Sequence, residues 1–191
     1  MQSVIPKRIL LLAASTGGPG QIQKIIQELP QLHNSSVIIA LHMVEGFILS
    51  YASRLEKSIK NKMNVVQDKQ NFEKGHIYVA HGKTYLDSDT NIFHYAKASK
   101  DSYNPDIDTL FSSFSHLTYK SEMLVVILTG IGSDGVDAAV QLQSLGAKCI
   151  TESAQSAIVD GMPNKARSSV KNIGIHEIDE IIKICKEFCD V

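Results

Sequence analysis

Short runs of uninterrupted apolar residues alternate along this chain with stretches in which apolar residues recur every three to four positions. Ile9 to Ala14 is the first run, and Ile22, Ile25, Ile26 and Leu29 follow at i, i+3, i+4 and i+7. That order predicts a buried strand and then a half-buried helix. Val37 to Met43 predicts a second strand, and Ile48, Ala52, Leu55 and Ile59 a second helix. Helical spacing returns at Ile107, Leu110, Phe111, Phe114 and Leu117. Met123 to Leu128 is the most hydrophobic strand. A glycine-rich loop, Thr129 to Gly135, separates it from a helix marked by Val136, Ala139, Val140 and Leu142, which Gly146 would cap. Ala147 to Thr151 predicts another strand, and the last helix starts near Asp179 with Ile181, Ile182, Ile184, Cys185 and Phe188 turned inward.

The segment from Asn64 to Lys97 breaks this rhythm. It is polar, with short β-like pieces at Val65-Val66, Ile77 to Ala80 and Ile92-Phe93, and turn chemistry at His81-Gly82-Lys83. It predicts one or two strands and a hairpin. Continuous rather than alternating strands imply a sheet covered on both faces. The expected fold is therefore α/β: a three-layer α/β/α sandwich with a doubly wound, mostly parallel sheet and a small β-hairpin excursion. At 191 residues the expectation is a single domain spanning 1–191, with no linker and no internal repeat.

Composition narrows the functional classes. Lys plus Arg is 19 against 20 for Asp plus Glu, a formal net charge of -1. A binder that neutralises phosphates would be basic, so nucleic acid is not an expected partner. No apolar run approaches the ~20 residues of a membrane span, so no membrane insertion is expected. Lys7-Arg8 before Ile9 to Ala14 imitates a signal peptide, but the run is shorter than the ~7–15 residues of an apolar signal core. The three cysteines, Cys149, Cys185 and Cys189, are odd in number and lack a C-x-x-C pair. They suggest neither a disulfide framework nor a zinc site, and they fit a reducing cytoplasm. The seven histidines are scattered, and no metal is expected.

In open α/β sheets, ligands bind at the carboxyl ends of the strands. Those ends carry Ser15 after the first strand, His42 at the second, and Asp134 in the loop after the central strand. A hydroxyl, an imidazole and a carboxylate are the parts of a serine hydrolase triad. Each also has a structural reading: Ser15 or Asp134 as a helix cap, His42 as a satisfied core histidine. A rival functional reading rests on Gly130-x-Gly132-x-x-Gly135, which follows a strand, opens a helix and has Glu152 17 residues beyond its last glycine. That matches a dinucleotide fingerprint, although about 60 residues remain after it, too few for both halves of such a fold.

The same residues carry a family likeness. Ala14-Ser15-Thr16-Gly17-Gly18-Pro19 resembles the serine signature of the chemotaxis protein-glutamate methylesterases, the CheB effector domain. His42-Met43 with Gly46-Phe47 resembles the family's His-Met-x-x-x-Phe segment, and Thr129 to Gly135 its Thr-Gly-Met-Gly-x-Asp-Gly loop. Lesser matches are Gly75 to Ala80, Asp108 to Phe111 and Val159 to Pro163. The resemblance implies Ser15 as nucleophile, His42 as base and Asp134 as its orienting acid. An oxyanion formed at Ser15 needs aimed donors, and the main-chain N–H groups around Thr16 and Ile131 are the candidates because both flank glycine-rich turns, with Gly17 and Gly132 completing the oxyanion and substrate-binding set. The resemblance implies hydrolysis of glutamate γ-methyl esters on chemoreceptor helices to glutamate and methanol, and for many members deamidation of receptor glutamines. No cofactor is implied. The partners would be methyl-accepting chemotaxis receptors, and the location cytoplasmic, beside receptor arrays. Ile131 stands where the family usually has Met, Leu41 where it often has Gln, and Val44 where it often has Pro. The family's usual form has an N-terminal phospho-receiver module. The first strand here begins near Ile9, so the expectation is a chain without that module and without its phosphorylation gate. Two alternatives remain: a nucleotide-binding module, and a non-catalytic receptor-binding module.

Overall fold

A computed structural model of the chain describes residues 5–98 and 104–191. Its main sheet has seven strands, all paired in parallel. In chain order they are β1 (Arg8–Ala14), β2 (Ser35–Leu41), β3 (Lys62–Val65), β5 (His76–Val79), β8 (Glu122–Ile127), β9 (Lys148–Glu152) and β10 (Gly174–His176). Three further strands, β4 (Gln70–Asn71), β6 (Lys83–Leu86) and β7 (Ile92–Ala96), make a separate antiparallel sheet. β6 and β7 form a hairpin, but it turns at Asp87–Asn91 and not at His81-Gly82-Lys83, where the sequence placed the turn chemistry; β4 adds a third strand to it, and β3 and β5 join the main sheet.

The helices are α1 (Gly18–Glu28), α2 (Glu45–Glu56), α3 (Ile107–Ser112), α4 (Val136–Ser144), α5 (Gly161–Ser169) and α6 (Ile178–Cys189). Two cores follow from the pleat of β1, whose successive side chains point to opposite faces. Leu10, Leu12 and Ala14 bury against Ile22, Ile25 and Ile26 of α1, Leu55 of α2 and Ile181, Cys185 and Cys189 of α6. Ile9, Leu11 and Ala13 bury against Phe111 of α3, Leu142 of α4, Ala166 of α5, and Phe72 and Phe93 of the small sheet. The sheet is thus covered on both faces, as its uninterrupted apolar strands require.

Three elements depart from the sequence expectation. The helix expected over 107–117 is broken: α3 stops at Ser112, and a 3₁₀ turn at Ser115–Leu117 follows. The Ser113 hydroxyl competes for the Leu110 carbonyl, which weakens a continued α-helix there. α5 and β10 were not expected as elements. The α5 sequence holds Gly, Pro and two serines, and only Met162, Pro163 and Ala166 face inward. β10 is a three-residue edge strand without an apolar run. Burial raises the Cys149 and Cys189 thiols to about 12, and raises Cys185 further. No helix among the described residues is long and apolar enough to cross a membrane.

The strand order is β10-β9-β8-β1-β2-β5-β3. From β1 the chain winds outward through β2 to one edge, then returns to β8 on the other side of β1. Connections therefore leave β1 and β8 in opposite directions, and the crevice beyond their carboxyl ends is the switch point where such sheets bind ligands.

Candidate active site

The turn from β1 into α1 is Ser15-Thr16-Gly17. Gly17 is the N-cap of α1 with φ 83°, a left-handed conformation that glycine adopts without Cβ strain. No side chain caps α1, so Ser15 is not its cap. Neighbouring strands hold the turn on both sides. The Ser15 main-chain N–H donates to the Thr129 carbonyl at 3.0 Å, and the His42 N–H donates to the Ala14 carbonyl at 3.0 Å. Ser15, His42 and Thr129 are therefore adjacent strand ends of β1, β2 and β8. The apolar run expected to Met43 ends as a strand at Leu41, which leaves His42 just beyond the sheet edge and half-buried.

The His42 Nε2 lies 2.7 Å from Asp134 Oδ2, with the two side chains 8% and 24% exposed. The other bonds of Asp134 correct a sequence-based alternative. It does not cap α4, whose N-cap is Gly135 with no side-chain bond. Its carboxylate instead accepts the first two N–H groups of α3, Ile107 at 3.0 Å and Asp108 at 2.9 Å. Asp108 reciprocates: its carboxylate accepts the Ala138 N–H of α4 at 2.8 Å. Each helix start is thus held by an acid from the other's entry, and the pair fixes Asp134 beside His42.

This arrangement sets charge. Burial pushes the Asp134 carboxyl up, but the bonds from His42, Ile107 and Asp108 outweigh it and hold the group below the ordinary carboxylate range. Asp108 moves the other way: burial raises it, and the neighbouring Asp134 and Asp137 charges add to that against the donated bonds. An ionised Asp134 only accepts, so Nε2 of His42 carries its proton toward it. In the neutral ring Nδ1 is then the nitrogen without a proton. That is the reverse of the arrangement in chymotrypsin-type triads, where Nδ1 faces the acid.

The loop after β8 closes on the Ser15 turn. A Cβ at Gly130 would press on the Met162 sulfur and lie 2.7 Å from the Ser15 Cβ and 3.0 Å from its N. Gly130→Ala should therefore displace Ser15 or the loop. An expected result is at least a tenfold loss of kcat in the folded variant, read from ester hydrolysis beside a thermal melt. Ile131, the next residue of the loop, is 61% exposed. Gly132, at φ 90°, lets the loop turn back toward Asp134.

Glu152 is not where a dinucleotide reading needs it. Its carboxylate is wholly buried and accepts from Thr129 N–H at 2.7 Å, Gln21 Nε2 at 2.9 Å and Ser156 Oγ at 3.0 Å. With both oxygens committed inside the protein, it cannot bind a ribose hydroxyl. Sequence reasoning missed three residues that shape the site. Asp108 and Thr129 were seen only as parts of motifs, and Met162 only as part of a lesser match. A Thr and an Asp at fixed offsets from the glycine loop were the available signal.

A doubly wound parallel sheet thus carries Ser15, His42 and Asp134 on loops at its switch point, in the chain order Ser…His…Asp. Residues 10–184 match the sequence model of the CheB methylesterase family, and the chain belongs to that family. It is 33% identical over 199 residues to a protein-glutamate methylesterase/protein-glutamine glutaminase of Halalkalibacterium halodurans, covering 97% of this chain and 57% of that one. It is 33% identical to the protein of the same description from Bacillus subtilis, over 92% of this chain and 50% of that one. It spans about half the length of the curated relatives it matches. The CheB methylesterase catalytic domain of Thermotoga maritima superposes with a TM-score of 0.80 at 25% identity, covering 95% of this chain and 98% of that one.

Proposed function

We propose that this chain is a serine carboxylesterase that hydrolyses glutamate γ-methyl esters on chemoreceptors to glutamate and methanol, with deamidation of receptor glutamines as a second reaction of the same site. The observation that carries the reading is the ionised Asp134 holding Nε2–H of His42 one strand away from Ser15. Nδ1 of His42 takes the Ser15 proton as Oγ attacks the ester carbonyl. The main-chain N–H groups of Thr16 and Ile131 receive the oxyanion, helped by the turns at Gly17 and Gly132. Methanol leaves with the proton from His42, and an acyl-enzyme on Ser15 remains. Water, deprotonated by the same nitrogen, then releases glutamate and restores Ser15. With a glutamine substrate, ammonia leaves in place of methanol.

The partners in this reading are cytoplasmic helices of methyl-accepting receptors, and the chain works in the cytoplasm beside their arrays. The chemistry uses water as its only co-substrate. The names of the relatives support the substrate class. The strand-end geometry supports the mechanism. The test is methanol release from receptor-bearing vesicles labelled in the ester methyl group. Time-dependent release by the purified chain supports the reading, and a folded chain that releases none overturns it.

A further inference from the structure

Thr129 and Glu152 form a buried polar chain that ends on the nucleophile turn. Both are wholly buried. Glu152 closes β9, and among the described residues no cation pairs with its carboxylate. Burying a carboxyl group is costly, and an apolar residue there would serve stability as well or better. The carboxylate instead meets three donors, of which the shortest bond, 2.7 Å, comes from the Thr129 main-chain N–H. Glu152 thereby ties the Thr129 backbone to the end of β9 and, through Gln21, to α1.

Thr129 passes that constraint on at two points, one on each side of Ser15. Its carbonyl accepts the Ser15 N–H at 3.0 Å. Its hydroxyl donates to the Thr16 carbonyl at 2.9 Å and accepts the Val159 N–H at 2.8 Å. The peptide carrying the Thr16 N–H lies between those two held peptides, and its own carbonyl, that of Ser15, accepts Gly18 N–H at 2.8 Å. All three peptides around the nucleophile are thus tied, two of them to Thr129.

We propose that Thr129 and Glu152 are positioning residues, which aim the Ser15 hydroxyl and the Thr16 N–H without touching substrate. The inference rests on the esterase reading for its rate measurement, but it has a readout that needs no receptor. Thr129→Val removes the hydroxyl at nearly constant volume, and Thr129→Ser keeps it. Both variants would be compared with the unchanged chain in kcat and KM for ester hydrolysis, in the rate of Ser15 labelling by a fluorophosphonate, and in thermal melting. The expected result is a fall of about 10- to 100-fold in kcat and in labelling rate for Thr129→Val, with KM within about threefold. Thr129→Ser returns both rates to within about threefold of the unchanged chain. For Glu152, Met has a similar shape but no acceptor, so Glu152→Met should behave like Thr129→Val. Gln can still offer an oxygen to the Thr129 N–H, so Glu152→Gln should recover most of the rate.

Equal rates for folded Thr129→Val and the unchanged chain would overturn the proposal. So would a Thr129→Ser variant as slow as Thr129→Val. If Glu152→Met fails to fold, the threonine pair still decides. A chain that takes the probe at Ser15 but releases no methanol would remove the proposed substrate, while the labelling ratio of the two threonine variants would still decide on positioning.

Discussion

Ser15→Ala is expected to lower kcat for ester hydrolysis by about 10⁵- to 10⁶-fold while leaving the fold intact. In barrier terms that is about 7–8 kcal/mol. The size follows from what the hydroxyl does. In the proposed mechanism it forms the covalent bond of the acyl-enzyme, so without it His42 and the N–H donors can act only on a water not placed for attack. The fold should tolerate the change because the turn is held by its backbone: Ser15 N–H to Thr129, Ser15 carbonyl to Gly18 N–H, and the flanking Ala14 carbonyl to His42 N–H. Nothing caps α1 through the Ser15 side chain. The melting temperature should therefore stay within about 2 °C, the scale of a surface-type change. Methanol release from labelled receptor and a thermal melt on the same sample make the check. Activity within tenfold of the unchanged chain would remove Ser15 as nucleophile.

The places of Ser15 and His42 were legible because strand ends are legible. β1, β2 and β8 are continuous apolar runs, and their polar punctuation falls where each leaves the sheet: Ser15, His42 and Thr129. The layers followed for the same reason. What could not be read were roles created by distant partners. Asp134 precedes α4, and a local reading makes it that helix's cap, yet its carboxylate turns to α3, about 27 residues earlier in the chain. Glu152 ends a strand at the spacing of a dinucleotide motif, yet folding brings Gln21, 131 residues away, against its carboxylate. α5 stayed hidden because Gly161, Pro163, Ser168 and Ser169 give it little helical signal of its own. It forms because Met162 and Ala166 have the sheet to bury against.

The apolar surface near the site has a related logic. Val44 and Phe47, at the start of α2 beyond His42, are exposed, as are Ile131 and Ile158 on the loops around Ser15. Gly17 is close enough to Ile158 that a Cβ there would lie 2.8 Å from the Ile158 Cβ. The change of the family's usual Met to Ile131 thus falls on a side chain at the protein surface. The proposed oxyanion donor is the backbone of that residue, which the change leaves in place.

Asp134→Asn tests the remaining part of the arrangement, with an expected fall of about 10⁴-fold in kcat. Asp134 has two oxygens facing three donors: Oδ2 takes His42 Nε2–H and Ile107 N–H, and Oδ1 takes Asp108 N–H. An asparagine can put its one oxygen at either place, and its amide then meets an N–H at the other. If the oxygen stays toward His42, the amide clashes with the Asp108 N–H. If it turns, the amide donates to Nε2, the ring proton moves to Nδ1, and the nitrogen proposed as the base is lost. Both cases also remove the charge that stabilises the imidazolium formed during attack. A stability effect accompanies the kinetic one, and its sign distinguishes it. The folded-state pKa of Asp134 lies below the unfolded value of 3.8, so the ionised group stabilises the fold fully above that value. That contribution fades as pH falls through the lowered folded value. The gap in unfolding free energy between the unchanged chain and Asp134→Asn should therefore be constant near neutrality and shrink below about pH 4, in denaturant titrations run across that range. A gap that widened on acidification would show that Asp134 is not the ionised acceptor on which the tautomer of His42 depends.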